Sequence, residues 1–179
     1  NNRNTWERYN GTAWQTPSSG EGFPGENTTP DNVYVTHSIN LNTSPPNSLL
    51  NIKIEQTGTL DLSDRDFVVT GTTQIDGTLE DLNSSGYVEL YTVNISLTGN
   101  WTSTATPTAR LLLFGNINNE SLNVNIARAR AANNIAFTGN GVINFYEFLE
   151  YDGSYTITNQ TIIHVGEGLN SNNLSGTFI

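Results

Sequence analysis

Gly58-Thr-Leu60 returns as Gly77-Thr-Leu79, a shift of 19, and Leu97-Thr-Gly-Asn100 returns as Phe137-Thr-Gly-Asn140, a shift of 40. Recurrence at about 20 residues and again at twice that is the mark of stacked coils. An antiparallel sandwich has turn signals of its own but no reason to repeat one four-residue turn at a fixed multiple. Asn100, Asn119, Asn140 and Asn159 keep the same beat, in steps of 19, 21 and 19. In a parallel stack like residues lie about 4.8 Å apart, so these four are expected to hydrogen-bond as a structural ladder along the turns.

Outward from these motifs the chain is a series of short β-like runs set off by Gly, Asn and Asp. They begin with Val33-Tyr-Val-Thr36 and Leu50-Asn-Ile-Lys-Ile54 and end with Tyr155-Thr-Ile157 and Thr161-Ile-Ile-His-Val165. Residues 1–30, with Trp6, Trp14, Pro17, Phe23, Pro24 and Pro30, show no period of 2 or 3.6 and read as an irregular aromatic cap. The expectation is one all-β domain, a parallel, right-handed β-helix (β-solenoid) with coils of about 20 residues over 31–179. Its last run, Leu174-Ser-Gly-Thr-Phe-Ile179, reads as the beginning of a strand, so downstream domains of the same chain are expected partners.

Composition agrees with this reading and excludes others. Hydrophobic residues make up 35% of the 179 and charged residues only 13%, so uncharged polar groups fill the gap and the charge-rich signature of disorder is missing. Asn and Gly tolerate tight turns, and Thr packs well on a pleated surface. The net charge of −10, with Lys53 the single lysine, argues against nucleic acid and against anionic membranes. No apolar run approaches the ~18 residues needed to cross a bilayer, and no signal-peptide pattern opens the chain, which reads as a processed product or a fragment. With no cysteine there is neither a disulfide nor a thiolate metal site.

Thr5-Trp6, Gly11-Thr-Ala-Trp14, Phe23-Pro24, Thr29-Pro-Asp-Asn-Val-Tyr-Val35 and Ser48-Leu-Leu-Asn-Ile52 with Gly58-Thr-Leu60 stand in a recognisable order. It resembles the β-solenoid segments of large secreted surface and adhesin proteins of Bacteroidota, many exported by the type IX route. The likeness covers roughly residues 5–100, on short and permissive motifs. It implies an extracellular, cell-surface location and a structural or adhesive role within a larger protein.

Three constellations could carry chemistry. Asp61, Asp64 and Asp66 form an oxygen-rich loop of the kind that holds calcium, although it lacks the glycine and terminal glutamate of an EF-hand. No other cofactor is expected. Tyr146, Glu147, Glu150, Tyr151, Asp152 and Tyr155 set aromatic rings beside carboxylates, the combination that stacks on sugar rings and binds their hydroxyls, and they are the candidate glycan surface. Paired carboxylates also serve glycoside hydrolysis, so a polysaccharide-active β-helix is the alternative to a non-enzymatic module, and a fibre subunit assembling end to end is a further one. Arg128 and Arg130 share one strand face, with Ala127, Ala129 and Ala131 on the other. A coil of about 20 puts Arg128 near Glu147, and Arg110, Arg130 and Glu150 in neighbouring coils, as ion pairs between coils.

The remaining motifs read as structural. His37 and His164 are too far apart to share a metal, and the nine Asn-x-Ser/Thr sequons follow from the composition. The array Thr102, Thr104, Thr106 and Thr108 lacks the repeats that an ice-binding face requires.

Overall fold

A computed structural model of the chain describes residues 7–9, 12–16, 18, 23–26, 28–29, 31–63, 65–81, 87–103, 110–131, 133–151, 156–166, 168–171 and 177–178. Among them there is no helix. β1 (Arg8–Tyr9) and β2 (Trp14–Gln15) pair antiparallel. The rest is a parallel stack of β3 (Asn32–Val35), β4 (Ser38–Asn40), β5 (Asn51–Ile54), β6 (Thr59–Asp61), β7 (Phe67–Ile75), β8 (Thr78–Asp81), β9 (Tyr87–Leu97), β10 (Asn100–Ser103), β11 (Arg110–Leu113), β12 (Asn116–Asn119), β13 (Val124–Ala131), β14 (Ile135–Thr138), β15 (Val142–Tyr151), β16 (Thr156–Asn159), β17 (Ile162–Val165), β18 (Gly168–Ser171) and β19 (Thr177–Phe178).

The pairings resolve into three faces. Face one runs through Leu49, the start of β7, the start of β9, β11, the end of β13, the end of β15 and β18. Face two runs through β3, β5, the second half of β7, the second half of β9, β12, β14, β16 and β19. Face three runs through β4, β6, β8, β10, the start of β13, the start of β15 and β17. The chain is therefore the all-β parallel solenoid that its repeats predict. On face three Ile39, Leu60, Leu79, Trp101, Val124, Ile143 and Ile163 stack in sequence steps of 21, 19, 22, 23, 19 and 20, so a coil averages about 21.

Alternation drives the burial. In β5 and β8 every second side chain turns inward, so Ile52 and Ile54 stack in the core while Asn51 and Lys53 face out. β13 shows the alternation expected of its sequence, with Ala129 and Ala131 buried and Arg128 and Arg130 outward; Ala127 is buried as well, at a kink. Phe137 of face two and Phe145 of face three meet edge to face across the interior, centroids 6.1 Å apart. Trp101 fills the core below them and is fully buried.

The turn from face two to face three explains the Gly-Thr-Leu repeat. Leu60 lies on Leu79 and Thr59 on Thr78, while Gly58, Gly77 and Gly99 each sit directly against backbone of the coil below. A Cβ on Gly99 would come within 2.0 Å of the Gly77 carbonyl oxygen, so this column of turns closes only around glycine.

The first coil is covered by Phe23 and Pro24, which lie with Val33, Leu41, Pro45 and Leu49 around a cavity of about 30 Å3. Gly25, at φ 78°, receives both the Asn47 backbone N–H and its Nδ2 on one carbonyl, which pins this cover to the loop before β5. Of the tryptophans expected in the cap, Trp14 lies on β2 and Trp6 falls outside the described residues.

Candidate functional site

The corner from face three to face one brings together part of the expected glycan surface. Ile126 opposes Phe145 and Arg128 opposes Phe148, so the single residue Ala127 faces both Tyr146 and Glu147. An extra residue of this kind is a β-bulge, which bends its strand and re-aims side chains outward. Tyr146 emerges here 45% exposed, although its phenol donates a 3.1 Å hydrogen bond to the Ser103 carbonyl oxygen, two coils away. The ring thus lies along the stack and not across it. Partial burial raises the Tyr146 pKa, with the Glu147 carboxylate adding to the effect, so its hydroxyl stays a neutral donor and acceptor.

Glu147 receives Arg128 Nη2 on Oε2 at 3.2 Å, the ion pair between coils that their spacing predicts. The arrangement sets a hydrogen-bonded aromatic ring beside an ion-paired carboxylate. Gly166 of the next coil seats on this corner, since a Cβ there would lie 2.1 Å from the Tyr146 carbonyl oxygen. Glu150 and Tyr151 lie further along β15, in backbone register with Asn170 and Ser171, and Glu150 also opposes Arg130. Leu112, not Arg110, is the residue of β11 opposite Arg130, so the expected Arg110–Arg130–Glu150 alignment is offset at its first member. Asp152 and Tyr155 fall outside the described residues.

The acidic loop is described in part. Asp61 Oδ2 accepts Asn40 Nδ2 at 3.1 Å and Oδ1 accepts the Ser63 backbone N–H at 3.0 Å, a turn that holds Ser63 at φ 47°. Asp66 is exposed, Asp64 lies outside the described residues, and among the described residues no group of three metal-ligating side chains gathers.

The four asparagines expected to form one ladder do not share a register. Asn100 opposes Thr78, Asn119 opposes Leu97 and Asn159 opposes Phe137. Asn119 is fully buried and Asn159 half-buried, and each clasps its own turn, exchanging hydrogen bonds with the backbone of Ser121 and of Thr161. Asn140 donates through Nδ2 to Glu120 Oε2 in the coil below, at 3.1 Å. Coils of unequal length are the reason: equal spacing in sequence gives stacking only where the coils between are equal.

The true ladders sit elsewhere. Asn51 Nδ2 donates to Asn32 Oδ1 at 2.9 Å. Asn144 Nδ2 donates to Asn125 Oδ1 at 3.0 Å, and Asn144 Oδ1 in turn lies 2.9 Å from His164 Nδ1, so that imidazole ends a polar column on face three. Their spacings of 19, 19 and 20 are present in the sequence, hidden among many other asparagines. Of the threonine array, Thr102 lies on β10 and the other three fall outside the described residues.

Fold and corner together define a three-faced parallel β-solenoid whose outward features stand where coils change length. No protein-family model, no curated protein and no solved structure matches this chain.

Proposed function

We propose that the chain is an extracellular structural and adhesive module of a larger cell-surface or secreted protein, without catalysis and without a cofactor. One observation carries the reading: parallel pairing continues from coil to coil, on face two from β3 to β19 and on face three from β4 to β17, so load along the axis is shared by every coil. The exterior supports it, because Lys53 pairs with Glu55 and Asp76, and Arg128 with Glu147, which leaves much of the faces to Asn, Thr and Ser. The resemblance of residues 5–100 to Bacteroidota surface solenoids supports the location.

A second reading, carbohydrate binding at the face-three to face-one corner, is favoured by the outward Tyr146 beside its ion pair. The test couples the chain to beads and measures their retention under flow on bacterial and host cells and on immobilised glycans, beside beads carrying Tyr146→Ala. Retention lost in the variant supports adhesion through this corner, and retention kept in the variant moves adhesion elsewhere. Beads that never hold would leave a structural spacer and sink the adhesive half of the proposal.

A further inference from the structure

The corner from face one to face two carries a groove of about 430 Å3, lined by Val68, Thr70, Phe114, Asn116, Asn133 and Asn134. Unequal corners produce it. Between its pairings with β9, β7 places Thr70 and Gly71 where β9 has the one residue Val93, a second bulge. From Leu113 to Ile117 the coil of β11 and β12 advances four residues, while their partners in the next coil, Ala131 and Phe137, are six apart. Wide corners therefore flank narrow ones. Val68, Thr70, Asn133 and Asn134 are exposed at the rim, and Val69, Thr92 and Gly115 are buried at the floor. The groove spans four coils, about 14 Å along the axis at about 4.8 Å per step.

Its chemistry selects a ligand class. Among the described residues no charged side chain lines it, although the chain carries a net charge of −10, so an ionic ligand would find no counter-charge among them. Its volume is that of a small-molecule site, and its length along the stack suits an elongated ligand. Phe114 is half-buried and offers an apolar platform. Asn116 Oδ1 is held by the Ala136 backbone N–H at 2.9 Å and Asn133 Oδ1 by the Asn134 backbone N–H at 2.8 Å, which fixes both amides and turns Nδ2 to donation. Thr70 gives its hydroxyl proton to the Leu49 carbonyl at 3.1 Å and keeps oxygen lone pairs to accept. An apolar platform framed by fixed neutral donors and acceptors matches a chain of rings that are apolar on the face and hydroxylated at the edge.

We infer that this groove binds a neutral oligosaccharide lying parallel to the solenoid axis, at a site separate from Tyr146. The test uses the whole chain labelled with 15N, titrated with cellohexaose, xylohexaose, maltohexaose, mannohexaose and chitohexaose, and with an oligogalacturonate as the acidic control. Saturable shifts of the Asn116, Asn133 and Asn134 side-chain amides are expected with at least one neutral probe and not with the acidic one. Affinity should fall by about tenfold or more in Phe114→Ala and in the double variant Asn133→Ala/Asn134→Ala, and hold in Leu122→Ala, an exposed position away from both corners. The asparagines are exposed, so the double variant keeps the test valid if Phe114→Ala fails to fold. No saturable shift at millimolar probe, shifts confined to other corners, equal response to the acidic probe, or full affinity in the double asparagine variant would each overturn the assignment. Loss of bead retention alone would not touch it, since the titration reads the groove directly.

Discussion

Gly77→Ala tests whether the Gly-Thr-Leu repeat is a packing requirement. A Cβ at this position would sit 2.2 Å from the Glu55 carbonyl oxygen and 2.3 Å from that of Gly58, both backbone and neither able to rotate away. Relief requires the coil to lift, which stretches the bonds from the Asp76 and Gly77 N–H groups to the Ile54 carbonyl, now 2.9 and 3.0 Å, and from Thr78 N–H to the Gly58 carbonyl, now 3.0 Å. Overpacking costs about 1–3 kcal/mol and each weakened hydrogen bond up to about 1 kcal/mol more. Against this, alanine stiffens the unfolded chain by only about 0.4–1 kcal/mol. The net loss is about 2–4 kcal/mol, which for a chain of this size lowers Tm by roughly 5–15 °C. Thermal melting by circular dichroism reads the total. Hydrogen exchange reads the place: β5 to β8 should exchange faster and β15 to β17 should not change, because they lie several coils away and each coil packs mainly on its neighbours. A variant that melts with or above the wild type would refute the reasoning, since it would mean that the close approach at this corner is not there.

Two further outcomes are expected. Thr73 Oγ1 donates to Thr92 Oγ1 at 3.1 Å inside the core, and Thr92 Oγ1 passes its own proton to the carbonyl of Gly71 or Asn94. Thr92→Val strands the Thr73 hydroxyl and should cost about 1–3 kcal/mol, Thr73→Val should cost less, and the double variant should cost less than the sum; urea melts that come out additive would sink this. Lys53 has its pKa raised, first by the hydrogen bond to Glu55 and then by the charges of Glu55 and Asp76, with desolvation working the other way. A raised folded pKa contributes stability present below the unfolded value and lost as pH rises through the folded one, so stability should decline above about pH 10. Lys53→Met should flatten that decline, and an unchanged alkaline slope would show the pair to be inert.

Much of the fold is legible before any coordinates, and the reason is local. Gly58-Thr-Leu60 and Gly77-Thr-Leu79 lie in adjoining coils with no bulge between them on that face, so identical residues become stacked residues. Arg128 and Glu147 are readable as a pair for a related reason, one coil of nearly standard length lying between them. The Leu97-Thr-Gly-Asn100 and Phe137-Thr-Gly-Asn140 recurrence is looser: Phe137 stacks through Ile117 on Ile95, so the second motif sits two positions out of register with the first. The coils there step by 22, from Ile95 to Ile117, and then by 20, from Ile117 to Phe137, which together exceed the motif's shift of 40 by that slip of two. The asparagine ladder fails by the same arithmetic. The groove is illegible in the sequence for a different reason, since the residues named as lining it run from Val68 to Asn134 and nothing but the stack brings them together.

The division between faces and corners bears on where function can reside in such a chain. A face repeats because each inward side chain must fit the one below it: Leu60 on Leu79, Val124 on Ile143. Any residue inserted there would flip the alternation and turn the core outward. A corner carries no such demand, because its residues need only bridge two faces, and extra ones bulge into solvent without disturbing the rows on either side. Both outward features arise in this way, Tyr146 and Glu147 opposite Ala127, and Thr70 and Gly71 opposite Val93. Gly58, Gly77 and Gly99 are the limiting case of the opposite choice, three successive turns drawn so tight that at the glycine backbone touches backbone. The same corner widens further along the stack, where residues 120–123 separate β12 from β13 and Leu122 stands 69% exposed, so each of the three corners varies in length and can present chemistry. A ligand specificity that differed between related solenoids would therefore be carried by the length of the corners before it was carried by the residues on the faces.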